Sequence, residues 1–306
     1  MKANSLDNAI VSRGRHWRDY LEVCKPKVVL LLVFTALVGM ALSTPGLIAL
    51  GPALFGTLGI GLASASAAAI NHVIDHRADA EMARTRNRPI PQGNLSMGET
   101  LGFALVIGAL AMMVLYWLVN PLTAVLTFFS LIGYAVVYTM YLKRATPQNI
   151  VIGGAAGAMP PVLGWAAMTG EVTAEPLLLF LIVFVWTPPH FWALAIHRRD
   201  DYARVDIPML PVTHGGEYTR LQVLLYTVLL ILVTLVPYLI GMSGGMYLLG
   251  AVVLDSWFLY HVLLMMDSSR DEQPMRTFVV SIQYLMYLFG FLLLDHYIPV
   301  LMQFMG

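Results

Sequence analysis

The sequence has little charge and almost no cysteine, and each scarcity excludes a class of protein. Cys24 is the only cysteine among 306 residues, so no disulfide can form within the chain. Charged residues make up 12% of the chain, and its 18 basic residues balance its 18 acidic ones. Nucleic-acid binding needs a basic surface, which a neutral chain with so few charges lacks. We therefore expect no nucleic-acid partner.

Hydrophobic residues dominate instead, at 58% of the chain and a mean hydropathy of +0.72, which is typical of a polytopic membrane protein. Apolar windows of about 20 residues each predict a transmembrane helix. Nine such windows cover residues 28–47, 52–72, 99–118, 121–142, 149–169, 176–196, 221–241, 245–266 and 277–301. We therefore predict an all-α membrane protein of one domain, residues 1–306, embedded in the lipid bilayer.

The basic residues test this count, because short loops rich in Lys and Arg stay on the cytoplasmic side of a membrane. All 18 of them precede the first helix or follow the second, fourth, sixth or eighth. This pattern predicts a cytoplasmic N-terminus and a C-terminus outside, in a cell membrane that we expect to be a bacterial inner membrane. Within residues 1–27, Trp17, Tyr20 and Leu21 recur at helical spacing beside basic residues. That segment is predicted to lie along the cytoplasmic surface, ahead of a helix bundle at 28–301.

A polar stripe lies where the second apolar helix meets a charged loop. Asn71, Asp75 and Asp79 are four residues apart, so a continuous helix would place them on one face over about 12 Å. Carboxylates this close together repel each other, and they are poorly solvated near hydrocarbon. A cation such as Mg²⁺ between them explains the arrangement, because carboxylate and amide oxygens suit that ion.

Two long cytoplasmic loops, 79–93 and 197–211, combine acids with arginines, and each reaches an Ile-Pro turn. Their candidate binding residues are Arg84 and Arg88 in the first loop and Asp200, Asp201 and Asp206 in the second. The loops follow the second and sixth helices, which suggests a weak duplication that turns both acidic clusters toward one cavity. A diphosphate bound through Mg²⁺ needs this combination, since carboxylates hold the metal and guanidinium groups take the remaining charge. The apolar cavity beside it suits a polyprenyl tail.

The pattern Asn71-x3-Asp75-x3-Asp79, with Arg-x-Arg-x-Arg-Pro at 84–89, resembles the signature of the UbiA superfamily of intramembrane prenyltransferases. Residues 141–149, 153–165 and 186–195 resemble the members of that superfamily that prenylate heme, and the likeness covers about residues 20–300. The resemblance implies a UbiA-type bundle of nine helices around a central cavity that is open toward the cytoplasmic side.

The same resemblance implies transfer of the farnesyl group of farnesyl diphosphate to a vinyl carbon of heme B, which is then a substrate and not a cofactor. It assigns Mg²⁺ to Asn71, Asp75, Asp79 and Asp201, and the diphosphate to Arg84, Arg88 and Lys143. The superfamily's second Asp-x3-Asp motif is altered, because position 197 is His. We expect Asp201, and after it Asp200 and Asp206, to bind metal. A heme-modifying enzyme or a terminal oxidase is a candidate partner.

Histidines and acids within the apolar helices have competing interpretations. His190 and His197 are two helical turns apart on one face, so either could offer a nitrogen to heme iron. Alternatively, His190 forms a hydrogen bond between helices and His197 lies in a loop. Asp255, Asp295 and His296 are ionisable residues within predicted spans, where such residues are often functional. We expect a neutral Asp255 hydrogen-bonded to a neighbouring helix.

Two alternatives to heme prenylation stay open at this stage. One is prenyl transfer to a quinone or aromatic precursor, against which residues 141–149 and 186–195 argue. The other is ion-coupled secondary transport, in which Asp255, Asp295 and His296 would relay protons. A transporter is disfavoured because no pair of interrupted helices carries polar residues at corresponding depths.

Small residues also carry a structural prediction. Gly153, Gly154, Gly157 and Gly164 repeat along the fifth span, and residues 63–69 of the second are all Ala or Ser. Such residues let helix backbones approach closely, so we predict tight interhelical packing at both places.

Overall fold

The computed structural model describes residues 17–305, and the side chains of those up to residue 299. Over that range the chain is helical, with short connections and no strand. The helices are α1 (Trp17–Val23), α2 (Pro26–Leu42), α3 (Leu50–Glu81), α4 (Met97–Leu118), α5 (Pro121–Ile132), α6 (Lys143–Ala145), α7 (Asn149–Ala158), α8 (Pro160–Thr169), α9 (Ala174–His197), α10 (Arg199–Arg204), α11 (Leu210–Thr213), α12 (Gly216–Leu239), α13 (Gly245–Met266) and α14 (Gln273–Met305). The predicted surface segment is described only from Trp17 onward, so Lys2, Arg13 and Arg15 lie outside the described residues.

Among these residues, eight helical stretches are long and apolar enough to cross a membrane, or nine when α1 and α2 count as one bent span. The axes of α1 and α2 meet at 56° at Lys25. The prediction of an all-α membrane protein is thus confirmed, and its nine spans match the count in which α1 and α2 form one span. The first predicted span reached residue 47, whereas α2 ends at Leu42, before the sequence Ser43-Thr44-Pro45-Gly46. Proline and glycine there favour a turn over a further helical turn.

The second span is longer than predicted and places the polar stripe on a helix. α3 runs for 32 residues, from Leu50 to Glu81, past the end of the predicted span at residue 72. Its small residues pack closely against α4, where Ser66 Oγ donates to the backbone oxygen of Ala104 at 2.8 Å. Close packing of the Ala/Ser run is therefore confirmed.

The fourth span changes its helical geometry near its cytoplasmic end. α5 continues into a π-helical segment, Gly133–Leu142, which leads into α6 at Lys143. Thr139 Oγ1 donates to the backbone oxygen of Tyr134, five residues earlier, at 2.8 Å. π-Helices are rare and often occur at functional sites, because the wider turn rotates the residues that follow it.

α7 and α8 form the fifth span and are interrupted at Met159, because Pro160 has no N–H to continue the helical ladder. α8 packs against α2 through glycines on both sides. A Cβ at Gly39 would overlap the carbonyl oxygen of Pro161, and one at Gly164 would overlap that of Ala36. The predicted close packing is confirmed at Gly164, whereas Gly157 faces open space.

Candidate functional site

The polar stripe of α3 is buried at the end of the helix that meets the charged loop. Asn71, Asp75 and Asp79 are 4%, 3% and 4% exposed. They repeat at four-residue spacing in a continuous helix, so they share one face, as predicted. Carboxylates with so little access to water need partners of opposite charge, and each one has such a partner.

Asp75 is held by α6 and by its own helix. Lys143 Nζ lies 2.5 Å from Asp75 Oδ2, and Asn71 Nδ2 donates to the same oxygen at 2.8 Å. The second carboxylate oxygen, Oδ1, is buried and has no hydrogen-bond partner among the described residues. Asp75 therefore keeps one oxygen free for a ligand.

Asp79 is paired with the loop that follows α3. Arg88 Nη1 lies 2.5 Å from Asp79 Oδ2. A second contact holds this loop against the end of α3: Thr85 Oγ1 donates to the backbone oxygen of Asp79 at 2.9 Å. Arg84, the other arginine expected to bind diphosphate, is exposed. The structure thus places Arg88 in contact with the polar stripe and Arg84 on the exposed surface of the loop, which we call the rim of the site.

Lys25 is a member of the site that the sequence prediction missed. Its Nζ donates to Asn71 Oδ1 at 2.5 Å, from a residue in the left-handed region at φ 51° between α1 and α2. Burial, together with the charges of Arg88 and Lys143, lowers the pKa of Lys25 to about 7, although the charge of Asp75 acts in the opposite direction. From the sequence, Lys25 counts only among the basic residues that predict the membrane orientation. Its position directly before Pro26 is the one feature of the sequence that sets it apart.

The second loop presents acids of unequal burial. The Asp201 side chain is 13% exposed and lies 3.9 Å from Arg198 and 3.7 Å from Arg204, as N···O distances. Asp200 and Asp206 are exposed, and Asp206 has a positive φ of 52°. Of the three acids, only Asp201 is shielded in part from solvent.

Tyr202 connects the two loops. It is buried, which raises the pKa of its phenol. Its phenol interacts electrostatically with Arg84 and Arg88 of the first loop as well as with Arg198 and Asp201 of its own. Met82 of the first loop belongs to the same buried hydrophobic cluster as Tyr202. Both loops therefore face one region on one side of the bundle.

The donor set of this region consists of oxygen atoms with cations beside them. No three His, Cys, Asp or Glu side chains of the described residues approach closely enough to hold a metal by themselves. The atoms present nevertheless fit a hard divalent cation, since Asp75 Oδ1 is buried without a partner and Asn71 adds an amide oxygen. A phosphate ligand would complete such a coordination sphere.

The two histidines expected near heme have different surroundings. His190 is buried between α9 and α14, where its Nδ1 lies 2.6 Å from Ser281 Oγ. His197 is exposed at the end of α9. A third histidine, His72, is buried beside the stripe, and neither of its ring nitrogens has a partner among the described residues.

The deep acids of the last two helices are hydrogen-bonded. Asp255 accepts from Thr234 of α12 at 2.9 Å and from Tyr284 of α14 at 2.7 Å, which confirms the predicted interhelical bonding. Asp295 accepts from the backbone N–H groups of Gly244 and Tyr247 at the start of α13. His296 Nε2 lies 2.9 Å from the backbone oxygen of Thr44. Each of these side chains thus joins helices.

Comparison with known proteins gives a consistent result. A model of the UbiA prenyltransferase family matches residues 32–291. The protoheme IX farnesyltransferase of Nitrosococcus oceani is 58% identical over 284 residues, which cover 93% of this chain and 95% of the relative. That of Thioalkalivibrio sulfidiphilus is 60% identical over 291 residues, covering 95% and 96%.

Solved structures share the fold at much lower identity. The apo structure of a UbiA homologue from Aeropyrum pernix K1 has a TM-score of 0.72 at 18% identity and covers 88% of this chain and 98% of its own. A UbiA homologue from Archaeoglobus fulgidus, bound to GPP and Mg²⁺, has a TM-score of 0.60 at 16% identity and covers 90% and 99%.

Proposed function

The chain belongs to the UbiA prenyltransferase family, and from that premise we propose that it is an enzyme that farnesylates protoheme IX (heme B) to give heme O. The C1–O bond of farnesyl diphosphate breaks, and C1 forms a bond to a heme vinyl carbon. Water then adds its hydroxyl to the other vinyl carbon and loses a proton, while diphosphate leaves. The observation that carries this proposal is 58% identity to a protoheme IX farnesyltransferase over nearly the whole of both chains.

The diphosphate is proposed to bind where the cations converge on the stripe. Lys25, Lys143 and Arg88 lie around Asn71, Asp75 and Asp79, and Arg84 stands at the rim. Guanidinium and ammonium groups form strong charge-assisted bonds with phosphate oxygens. As the C1–O bond breaks, negative charge grows on the leaving diphosphate, so these cations stabilise the transition state more than the ground state.

Asn71, Asp75, Asp79 and Asp201, with Asp200 and Asp206 in support, are proposed to hold Mg²⁺. The unpartnered Oδ1 of Asp75 and the all-oxygen donor set support this assignment. Bound Mg²⁺ would neutralise charge on the diphosphate as it leaves. Lys143 and Arg88 pair with Asp75 and Asp79 in the structure, which compensates the charge of two buried carboxylates one helical turn apart.

The heme substrate is proposed to meet the histidines of α9. His190 is the stronger candidate for a contact with heme iron because its ring is held in one orientation, whereas His197 is exposed at the surface of the second loop. The charge asymmetry of the loops supports a cytoplasmic N-terminus, an outer C-terminus and insertion in a bacterial inner membrane. A heme-modifying enzyme or terminal oxidase would then receive the product at that membrane.

The alternatives receive less support from the structure. Asp255, Asp295 and His296, which a transporter would use to relay protons, have interhelical or capping hydrogen bonds. An aromatic or quinone acceptor is not favoured by any contact of the described residues.

The proposed reaction is tested by incubating membranes that contain the protein with farnesyl diphosphate, Mg²⁺ and either heme B or 4-hydroxybenzoate as a representative aromatic acid. Membranes with an Asp75→Ala variant control for background activity. We expect the farnesylated product from heme alone. Product from the aromatic acid and none from heme would overturn the proposal.

A further inference from the structure

His190 and Ser281 form a buried contact that lies outside the ion-paired site. The two residues are 6% and 0% exposed, and His190 Nδ1 lies 2.6 Å from Ser281 Oγ. One turn earlier on α9, Trp186 Nε1 donates to the backbone oxygen of Ser281 at 2.8 Å. Two side chains of α9 thus converge on one residue of α14.

The hydrogen bonds of Ser281 determine which nitrogen of His190 carries a proton. Ser281 Oγ lies 2.6 Å from the backbone oxygen of Phe278, and a carbonyl oxygen can only accept. The single hydroxyl proton of Ser281 is therefore used in that bond. Ser281 Oγ must accept from His190, so the proton of the imidazole is on Nδ1 and the neutral ring has a lone pair on Nε2.

Aromatic neighbours hold the imidazole in this orientation. Trp186 stacks on one side at a centroid distance of 4.3 Å and Phe278 stacks at 4.5 Å, with interplanar angles of 17° and 24°. Phe191 meets the ring edge-on at 4.8 Å. The hydrogen bond of the His190 ring among the described residues is made through Nδ1, and none is made through Nε2. Tilting the ring would break its stacking contacts, and exchanging its two nitrogens would break the bond to Ser281.

We propose that Ser281 is a positioning residue that fixes the Nδ1–H tautomer of His190, so that the Nε2 lone pair is presented to the iron of the heme substrate. This inference rests on the proposed function, in which heme is the prenyl acceptor. A histidine that binds a metal through one nitrogen usually donates its other N–H to an oxygen, which orients the ring and raises its basicity. Ser281 Oγ is that oxygen here, and no motif in the sequence marks it.

The test uses the purified full-length protein in detergent, with ferric heme as the probe. Heme affinity and the Soret spectrum are measured for Ser281→Thr and Ser281→Val, which have the same shape and differ only in the hydroxyl. Ser281→Ala and His190→Ala complete the set, and Ser256→Ala is the control. Ser256 is an exposed serine whose hydroxyl donates to its own helix, at Val252, so its loss leaves His190 unchanged.

We expect Ser281→Val and Ser281→Ala to bind heme about 10- to 100-fold more weakly than Ser281→Thr and to change the Soret band, since removal of such a supporting group typically has this effect. The KM for farnesyl diphosphate should stay within about twofold in all of them, because the bond lies outside the diphosphate site. The comparison of Thr with Val remains decisive if Ser281→Ala does not fold.

Equal heme affinity in Ser281→Thr and Ser281→Val, alongside weakened binding in His190→Ala, would overturn the role of Ser281 and leave His190 as a heme contact. Wild-type affinity and spectrum in His190→Ala would overturn the inference by removing its premise about His190. Neither result bears on whether the wild-type membranes farnesylate heme, so a failure of the proposed function is recognised separately, by the absence of that product.

Discussion

Replacing Arg88 with alanine removes the guanidinium that pairs with the polar stripe of α3. Its Nη1 is 2.5 Å from Asp79 Oδ2, and the side chains are 17% and 6% exposed. In the proposed enzyme the same group binds the diphosphate. The substitution should therefore weaken binding of farnesyl diphosphate much more than binding of heme.

The size of the effect follows from the type of bond that is lost. A hydrogen bond to a charged group contributes about 1.5–3 kcal/mol. Since 1.4 kcal/mol corresponds to a tenfold change in affinity, the KM for farnesyl diphosphate should rise about 10- to 150-fold. The KM for heme should change by less than about threefold, because no heme contact is assigned to Arg88.

The measurement is a steady-state assay in detergent, with each substrate varied in turn. Arg86→Ala is the matched control, because Arg86 is exposed, lies two residues away and forms no ion pair among the described residues. The folded yield and unfolding free energy of Arg88→Ala, measured beside those of the wild type, separate loss of stability from loss of binding. A diphosphate KM in Arg88→Ala no higher than in Arg86→Ala would refute the reasoning.

Four other perturbations have definite expected outcomes. Asp75→Ala should insert normally but lose turnover, and a wild-type rate would remove the metal role of that carboxylate. Chelation by EDTA should stop product formation and added Mg²⁺ should restore it; persistent turnover after chelation would contradict the metal assignment. Asp255→Ala should lower the unfolding free energy by about 1–3 kcal/mol, as two intramembrane hydrogen bonds are lost, with both KM values unchanged in the folded fraction. Gly164→Ala should prevent α2 and α8 from packing and reduce the folded yield, whereas Gly157→Ala should not; equal yields would contradict the packing seen here.

The sequence was sufficient to predict the helix count and the polar stripe. Spacing of four residues places Asn71, Asp75 and Asp79 on one helical face regardless of the rest of the fold. Hydropathy and the distribution of basic residues set the number of spans. These properties are local or periodic, so they can be derived from one sequence.

Contacts between distant segments could not be derived in this way. Lys25 is 46 residues from Asn71 in the sequence, and their contact depends on a left-handed turn at Lys25 and a bend of 56° between α1 and α2. No periodicity in the sequence predicts the π-helical segment Gly133–Leu142. This segment directly precedes Lys143 and so affects the position of that residue. The contact of Ser281 with His190 could not be predicted either, because it arises only from the packing of α14 against α9.

The ion pairs of the stripe also affect how diphosphate would leave the site after the reaction. Asp75 and Asp79 are internal anions that already occupy Lys143 and Arg88 when nothing else is bound. In the proposed enzyme, pyrophosphate would therefore compete with two tethered carboxylates for the same cations, and that competition would shorten its residence once it has lost the lipid. Such a site would recover its starting charge balance as it empties, without recruiting counterions from solution.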